Sequence, residues 1–344
     1  MDDRNDIIAT ALDWARRGKG VALATVVATW GSAPRGIGAR LAIDEDGLFM
    51  GSVSGGCVEG EILAAAEEVI ATGQPVLRSF GVSDENAWTV GLPCGGSISV
   101  FVERIGRGPL LQNLSDDARA GRDAVTLLAL DDGERLPLDE ALRQKAWDAS
   151  TRAALEAAAA LGRDALVETP AGSFFLEFWR PPLRLVLIGA VHIAQALAPI
   201  AAMAGYQVAV VDPRNAFADE RRFPGVELVV DWPNEFLRRR PPDSRTALVV
   251  LSHEPRIDDP ALAAALNSPA FYIGALGSRR SAEKRRERLR AQGFTESDLA
   301  RVHGPVGLAI GAANPAEIAI SVAAELTEAL RLRPSAVAIK DAAE

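Results

Sequence analysis

No stretch of this chain holds the run of about 18 uncharged apolar residues that a membrane-spanning helix needs, so no membrane span is expected. The first residues, Met1-Asp-Asp-Arg-Asn-Asp6, are polar and acidic and lead into no apolar export segment, which points to the cytoplasm. Basic residues are in deficit: 37 Lys and Arg against 46 Asp and Glu give a net charge of −9. That balance argues against general binding to nucleic acid or acidic membrane. Cysteine is nearly absent, with two in 344 residues, so no disulfide framework is expected and a reducing compartment is implied. No repeat or low-complexity tract is visible. Apolar residues are plentiful at 48%, enough for packed cores, and the length suggests two domains.

Both cysteines sit among glycines. Cys57 lies in Gly51-Ser-Val-Ser-Gly-Gly-Cys-Val-Glu-Gly60 and Cys94 in Gly91-Leu-Pro-Cys-Gly-Gly96. Glycine permits sharp turns and close approach of another molecule. The following stretch, Glu61 to Ile70, reads as a helix closed by Gly73, which would put Cys57 in its first turn. Free helix N–H groups there would favour a thiolate and attract an anion. Two small residues buried in tight turns is the plainer alternative.

Around these loops the pattern predicts a helix from Asn5 to Arg17 and strands over Val21–Thr29, Arg40–Ile43, Val76–Phe80 and Ser97–Glu103. Residues 106–165 are less legible, with a strand at Ala124–Leu130 and an alanine-rich helix over Ala141–Leu161. Phe174–Trp179 has strand composition, and Arg180-Pro-Pro182 reads as a boundary. The expectation is an α/β protein: an N-terminal α/β domain over 1–180, a Rossmann-like domain with a mainly parallel sheet over 181–333, and a flexible tail over 334–344.

In the second half, apolar strands at Leu183–Gly189, Gln207–Asp212, Thr246–Ser252 and Ala270–Gly274 alternate with helices at Ile193–Ala204 and Pro260–Leu266, and Ala316–Leu332 closes the domain. Asp212 stands where a ribose-binding acid belongs. The glycine fingerprint is poor, because Val191 and Ala194 occupy positions usually given to glycine. All three histidines, His192, His253 and His303, fall beside strand ends or turns and can be imagined lining one pocket with Asp212, Asp258 and Asp259. Their spacing does not support a metal site. Gly274-Ala-Leu-Gly-Ser-Arg-Arg280 suits an anion or phosphate through Gly274, Gly277, Ser278 and Arg279; a left-handed turn with solvated arginines is the alternative. Arg279, Arg280, Lys284, Arg285, Arg286, Arg288 and Arg290 form a basic cluster whose outer members read as the solvated face of a helix.

Taken together, Thr29-Trp-Gly-Ser-Ala-Pro-Arg35, Gly51-Ser-Val-Ser-Gly-Gly-Cys-Val-Glu59, Pro93-Cys-Gly-Gly96, Ser252-His-Glu-Pro-Arg-Ile-Asp-Asp-Pro260, Tyr272-Ile-Gly-Ala-Leu-Gly-Ser-Arg-Arg280 and Val302-His-Gly-Pro-Val-Gly-Leu-Ala-Ile-Gly311 resemble the XdhC/CoxI family. The family's Gly-Ala-Gly-His turn departs here to Gly189-Ala-Val-His192. The resemblance implies a maturation factor that binds molybdenum cofactor, protects it, and delivers it in sulfurated form to an apo molybdenum hydroxylase such as xanthine, aldehyde or carbon monoxide dehydrogenase. It implies a cysteine desulfurase as a second partner and a homodimer. Cys57 or Cys94 would then ligate molybdenum or relay sulfur. Arg35, Arg40, Ser54, Gly55, Gly56 and Gly95 would hold the cofactor's charged end. Gly189, His192, Asp212, His253, Gly274, Gly277, Ser278 and Arg279 would serve a molybdopterin or its cytidine dinucleotide form; NAD is not expected. A nicotinamide-dependent oxidoreductase and a thiol-based sulfur-transfer enzyme are the other classes.

Overall fold

The computed structural model of the protein describes residues 4–81, 95–106 and 108–332. Cys94 and the expected tail at 334–344 lie outside the described residues. The chain divides into two compact units, the second beginning at Pro182.

The first unit opens with α1 (Arg4–Arg16), β1 (Val21–Trp30), β2 (Arg40–Asp44), β3 (Phe49–Gly51), α2 (Glu59–Thr72), β4 (Val76–Phe80) and β5 (Ser97–Arg104). These strands make a sheet of order β3-β2-β1-β5-β4 in which every neighbouring pair is antiparallel. Strand β1 is buried from Val21 to Val27 because α2 covers one face, and α1 and, at Val27, residues of the second sheet cover the other. Ala22, Ala24 and Val26 pack with Ile62, Ala65, Ala66 and Val69 of α2, residues spaced to form one helical stripe. Val21 and Leu23 pack with Ile7, Ile8 and Ala11 of α1. The β2–β3 hairpin turns tightly: the Asp44 carboxylate accepts from the N–H groups of Asp46 and Leu48 and from Lys19 Nζ at 2.5 Å. Gly51 pairs with Leu41, and a Cβ added to it would lie 2.3 Å from the Arg40 carbonyl, so only glycine fits.

A second sheet follows. Its elements are α3 (Leu110–Arg119), β6 (Ala124–Ala129), β7 (Arg135–Pro137), α4 (Leu138–Gln144), α5 (Ala149–Ala160), β8 (Ala165–Thr169) and β9 (Gly172–Trp179), with strand order β7-β6-β9-β8, again antiparallel throughout. The single helix expected over Ala141–Leu161 is two helices. Asp148 breaks it by capping α5, accepting from the Thr151 N–H at 2.9 Å, and Trp147 Nε1 donates to the Ala141 carbonyl. A side-chain cap outweighs alanine's helix propensity at that point.

The two sheets of this unit are tied by a buried ionic cluster. Arg40 of β2 and Arg135 of β7 both pair with Glu177 of β9, and Arg135 also reaches Glu103 of β5 at 2.5 Å. The Arg40 guanidinium lies 4.7 Å above the Trp179 ring, whose Nε1 donates to Glu177 at 3.1 Å.

The second unit runs β10 (Leu183–Ile188), α6 (His192–Met203), β11 (Tyr206–Val211), β12 (Glu227–Val229), α7 (Pro233–Arg239), β13 (Thr246–Val250), α8 (Pro255–Leu266), β14 (Tyr272–Ala275), α9 (Arg279–Ala291), α10 (Glu296–Leu299), β15 (Val302–His303) and α11 (Pro315–Arg331). Its six strands are parallel in the order β12-β11-β10-β13-β14-β15, the doubly wound Rossmann arrangement whose switch point lies between β10 and β13. Alternate strand residues explain the continuous apolar runs. Leu185, Leu187, Val210 and Val249 face α6 and α11, whereas Val186, Ile188, Val211 and Val250 face α7, α8 and α9. Among the described residues no helix is long and apolar enough to cross a membrane.

Candidate functional site

Antiparallel pairing fixes where the first unit keeps its loops. β1 and β3 end, and β2 and β5 begin, at one end of the first sheet. The segments 31–39, 52–58 and 95–96 therefore gather there. Gly96 is packed backbone to backbone against the first of them: a Cβ on it would lie 2.7 Å from the Trp30 carbonyl and 2.9 Å from the Ser32 carbonyl. Trp30 itself is 71% exposed at this end, unusual for so large an apolar side chain.

The 52–58 loop is organised by Glu59, a residue that the sequence motifs alone do not single out. Oε1 of Glu59 accepts from Ser52 Oγ at 2.7 Å and from the N–H groups of Val53 and Ser54 at 3.2 and 2.9 Å. Oε2 accepts from the Gly56 N–H at 2.8 Å and from Ser54 Oγ. Burial alone would raise the Glu59 carboxyl, but hydrogen bonds from the Ser54 and Ser52 hydroxyls and the Ser54 N–H outweigh it and hold it at about 2. The loop amides of Val53, Ser54 and Gly56 are thus filled by the chain's own carboxylate. A signal for this exists in the sequence: a glutamate closing a Ser- and Gly-rich loop at a helix start is a familiar internal cap.

Three expectations change here. Cys57 is not in the first turn of α2, which starts at Glu59 with Val58 as its N-cap; the thiol is exposed and free in the loop just before the helix. Ser54 is 1% exposed, and besides bonding Glu59 its Oγ accepts from the Val58 N–H, so it is structural. Arg40 is 1% exposed and committed to Glu177 and Trp179, so it cannot meet a ligand at the surface. Gly55 and Gly56 are exposed at φ +76° and +116°, and an added Cβ at either would meet open space; their requirement is backbone conformation. Gly95 is exposed at φ +72°, and Arg35 is half-buried in the first loop.

In the second unit the expected residues stand at the C-terminal ends of the strands, but in a row. Gly189 follows β10 at φ +106°, and a Cβ there would lie 2.9 Å from the Ser252 N–H nitrogen, so this glycine serves strand packing at the switch point. His192 begins α6 and is exposed. Asp212 is fully buried: it accepts from the Ala190 N–H at 2.8 Å and from Arg214 Nε and Nη2 at 2.8 and 2.7 Å. Burial would raise its carboxyl, yet the Arg214 and Ala190 bonds hold it low. Arg214 therefore occupies the oxygens a ribose would use. Gly274 is buried inside β14, where a Cβ would clash with Val306 at 2.6 Å, so its lack of a side chain serves packing. Gly277 has φ +145°, Ser278 caps α9 by accepting from the Ser281 N–H at 3.2 Å, and Arg279 is exposed.

The three histidines do not share a pocket with Asp212, Asp258 and Asp259. From β11 to β15 the row crosses five strands, roughly 19 Å at the usual strand spacing. His303 Nδ1 contacts Glu325 at 2.9 Å and its ring lies 4.6 Å from that of Tyr272, whose hydroxyl also donates to Glu325. Asp259 is taken by Arg288, and Asp258 accepts from Ser252 Oγ at 2.6 Å. Burial nevertheless raises the Asp258 carboxyl. Among the described residues no three His, Cys, Asp or Glu are placed to hold a metal ion.

His253 is exposed with φ +60°, the non-glycine residue with left-handed backbone among those described. Such a conformation costs about 1–2 kcal/mol outside glycine. His253→Gly is expected to raise the unfolding midpoint, by up to about 1 kcal/mol of stability once glycine's extra chain entropy is deducted. A thermal melt checks this; a lowered midpoint would mean that the imidazole makes a stabilising contact.

Comparison with known proteins gives a consistent result. Residues 14–81 match the XdhC and CoxI family, and residues 185–326 match the XdhC Rossmann domain. The chain is 28% identical over 326 residues to the molybdenum cofactor insertion chaperone PaoD of Escherichia coli (strain K12), covering 94% of this chain and 88% of that protein. It is 30% identical over 315 residues to a probable xanthine dehydrogenase subunit of Bacillus subtilis (strain 168), covering 89% and 92%. The crystal structure of a xanthine dehydrogenase from Bacillus halodurans superposes with a TM-score of 0.76 at 27% identity, covering 97% of each chain. With both units matched and relatives aligned along nearly the whole length, the chain belongs to the XdhC and CoxI family.

Proposed function

We propose that this protein is a maturation factor that carries molybdenum cofactor as cargo and delivers it to a molybdenum hydroxylase. The observation that carries the reading is the loop cluster at one end of the first sheet, where an exposed Cys57 rides on a loop held rigid by Glu59. A thiolate suits molybdenum as a soft ligand, and the near relatives include a protein named as a cofactor insertion chaperone. Because Glu59 fills the loop's amides, the cargo's contacts there fall to Cys57, the open faces of Gly55 and Gly56, and Trp30, whose exposed indole suits a flat pterin. Delivery in sulfurated form, a cysteine desulfurase as sulfur donor and a homodimeric state extend the same reading, as does a cytidine dinucleotide form of the cargo. NAD does not fit it, since Arg214 holds the oxygens of Asp212.

The test is purification from a molybdenum-replete host, followed by assay for fluorescent pterin and molybdenum and for reconstitution of a cofactor-free hydroxylase. Co-purifying pterin that restores activity supports the reading; protein free of pterin that restores nothing overturns it. Trp30→Ala is expected to weaken cargo retention about ten-fold through loss of stacking of about 1–3 kcal/mol, with little change in unfolding midpoint because the ring is exposed.

The exposed free thiol also favours a second reading, sulfur relay through Cys57. Mass spectrometry after incubation with a desulfurase distinguishes the two: a persulfide on Cys57 without pterin affinity favours the relay.

A further inference from the structure

Helix α9 hides one of its arginines. Arg285 is only 5% exposed. Its side chain leans back toward the start of the helix, where Nη2 donates to the Leu276 carbonyl at 2.8 Å. Nε and Nη1 are buried and donate to nothing. Open N–H groups on a buried cation are costly, and an anion would satisfy them.

What surrounds the guanidinium is built for close approach. Gly277 precedes the helix, and a Cβ on it would lie 3.8 Å from Nη2. Gly304 follows β15, and a Cβ on it would lie 3.9 Å from Nη1. Ala282, Arg285 and Gly304 line a cavity here, and Gly304 and Ser278 are exposed, so the corner is open to solvent. Ser278 caps the Ser281 N–H, while the Arg279 and Arg280 amides precede the first intrahelical bond and bring the positive end of the helix dipole to the same place. The nearby carboxylates are engaged elsewhere, Asp259 with Arg288 and Asp258 with Ser252, and the open nitrogens of Arg285 bond to neither. The corner lies at the C-terminal edge of the parallel sheet, where such folds bind ligands.

We propose that the corner formed by β14, α9 and the turn after β15 binds a phosphate group, with Arg285 as its buried cation. The ligand class is a phosphate monoester or pyrophosphate, free or as part of a nucleotide. Charge-assisted N–H donation from Nη1, the open nitrogen beside Gly304, suits a phosphate oxygen. The site does not depend on the molybdenum reading, because every residue it is argued from belongs to the second unit.

The experiment is calorimetric titration of the full, cofactor-free chain with inorganic pyrophosphate and with cytidine monophosphate. Wild-type protein is expected to bind at least one of them, and Arg285→Gln to weaken binding ten-fold or more. Arg290→Gln, in the last turn of the helix and paired with Glu296, is expected to change it less than three-fold. Cytidine monophosphate binding more tightly than pyrophosphate identifies a nucleotide site; equal or weaker binding identifies a site for the phosphate group alone. Should Arg285→Gln fail to fold, Gly304→Val fills the space beside Nη1 while leaving the cation in place, and is expected to weaken binding to the same extent. No binding by the wild type, or binding unchanged in Arg285→Gln and Gly304→Val, overturns the proposal. Because the probes carry no pterin, failure here leaves the carrier reading untouched.

Discussion

Glu177→Ala is expected to destabilise the first unit by about 3–5 kcal/mol, the usual cost of stranding buried charge. The Glu177 side chain is fully buried, Arg40 is equally buried, and Arg135 is 6% exposed. Removing the carboxylate leaves two guanidinium groups facing each other with Glu103 alone to compensate. It also removes an acceptor of Trp179 Nε1. Chemical denaturation followed by tryptophan fluorescence reads the loss. The double variant Arg40→Met, Glu177→Leu is expected to recover much of it, because apolar side chains of similar size often replace a buried ion pair at little cost. A loss below about 1 kcal/mol in Glu177→Ala would show that the cluster is solvated. The same variants check the corrected role of Arg40: if it held cargo directly, Arg40→Met would lower cofactor retention without lowering stability.

The second large effect is expected at the thiol loop. Cys57→Ala should reduce cofactor retention ten- to a hundred-fold, the range typical when a ligand or its immediate support is removed from a metal site, with an unchanged unfolding midpoint because Cys57 is exposed. Glu59→Gln should produce a similar loss by a different route. Five donors converge on the carboxylate oxygens, and an amide turns one acceptor into a competing donor. Amide exchange across 53–58 should then accelerate in Glu59→Gln and stay slow in Cys57→Ala, which separates positioning from ligation. The pH dependence follows from the depressed carboxyl. Glu59 sits at about 2 in the fold against an ordinary value of 4.5, so its contribution is complete above about pH 4.5 and is lost as pH falls toward 2. A spectroscopic probe on Cys57 should report an ordered loop from pH 8 to pH 5 and its release only below pH 4. Retention unaffected in both variants would remove the thiol from the mechanism.

How far the sequence is legible depends on whether a residue's partner lies nearby in the chain. The Rossmann sheet is readable because its strands are continuous apolar runs with both faces covered. Short edge strands escape: β12 and β15 have three and two residues, too few for a pattern. The first unit reads as an α/β layer, and its strands can be located, but their antiparallel order depends on pairings that no local signal carries. Charge is the poorest guide. Arg40 looks like a ligand of solvent or cargo from its type alone; burial and a partner far along the chain decide otherwise, and nothing in its type tells that Arg285 is buried. Glu59 escapes for the opposite reason, since a lone acid beside a glycine loop looks ordinary until its five donors are counted.

The hairpin between β2 and β3 has a consequence at a distance. Asp44 ties its turn, and Leu41 faces Gly51 across the ladder, at a place where any side chain would strike the Arg40 carbonyl. Inserting one residue into the turn at 45–47 would slide β3 by one position and bring Met50 to that spot. The slipped pairing is sterically forbidden, so the hairpin works as a ratchet with a single permitted tooth. The segment that leaves Gly51 leads directly to Cys57, which means that the depth at which the thiol is presented is metered by a turn at the far end of the sheet. Length variation among relatives should therefore be tolerated in the 31–39 loop and excluded from the Asp44 turn.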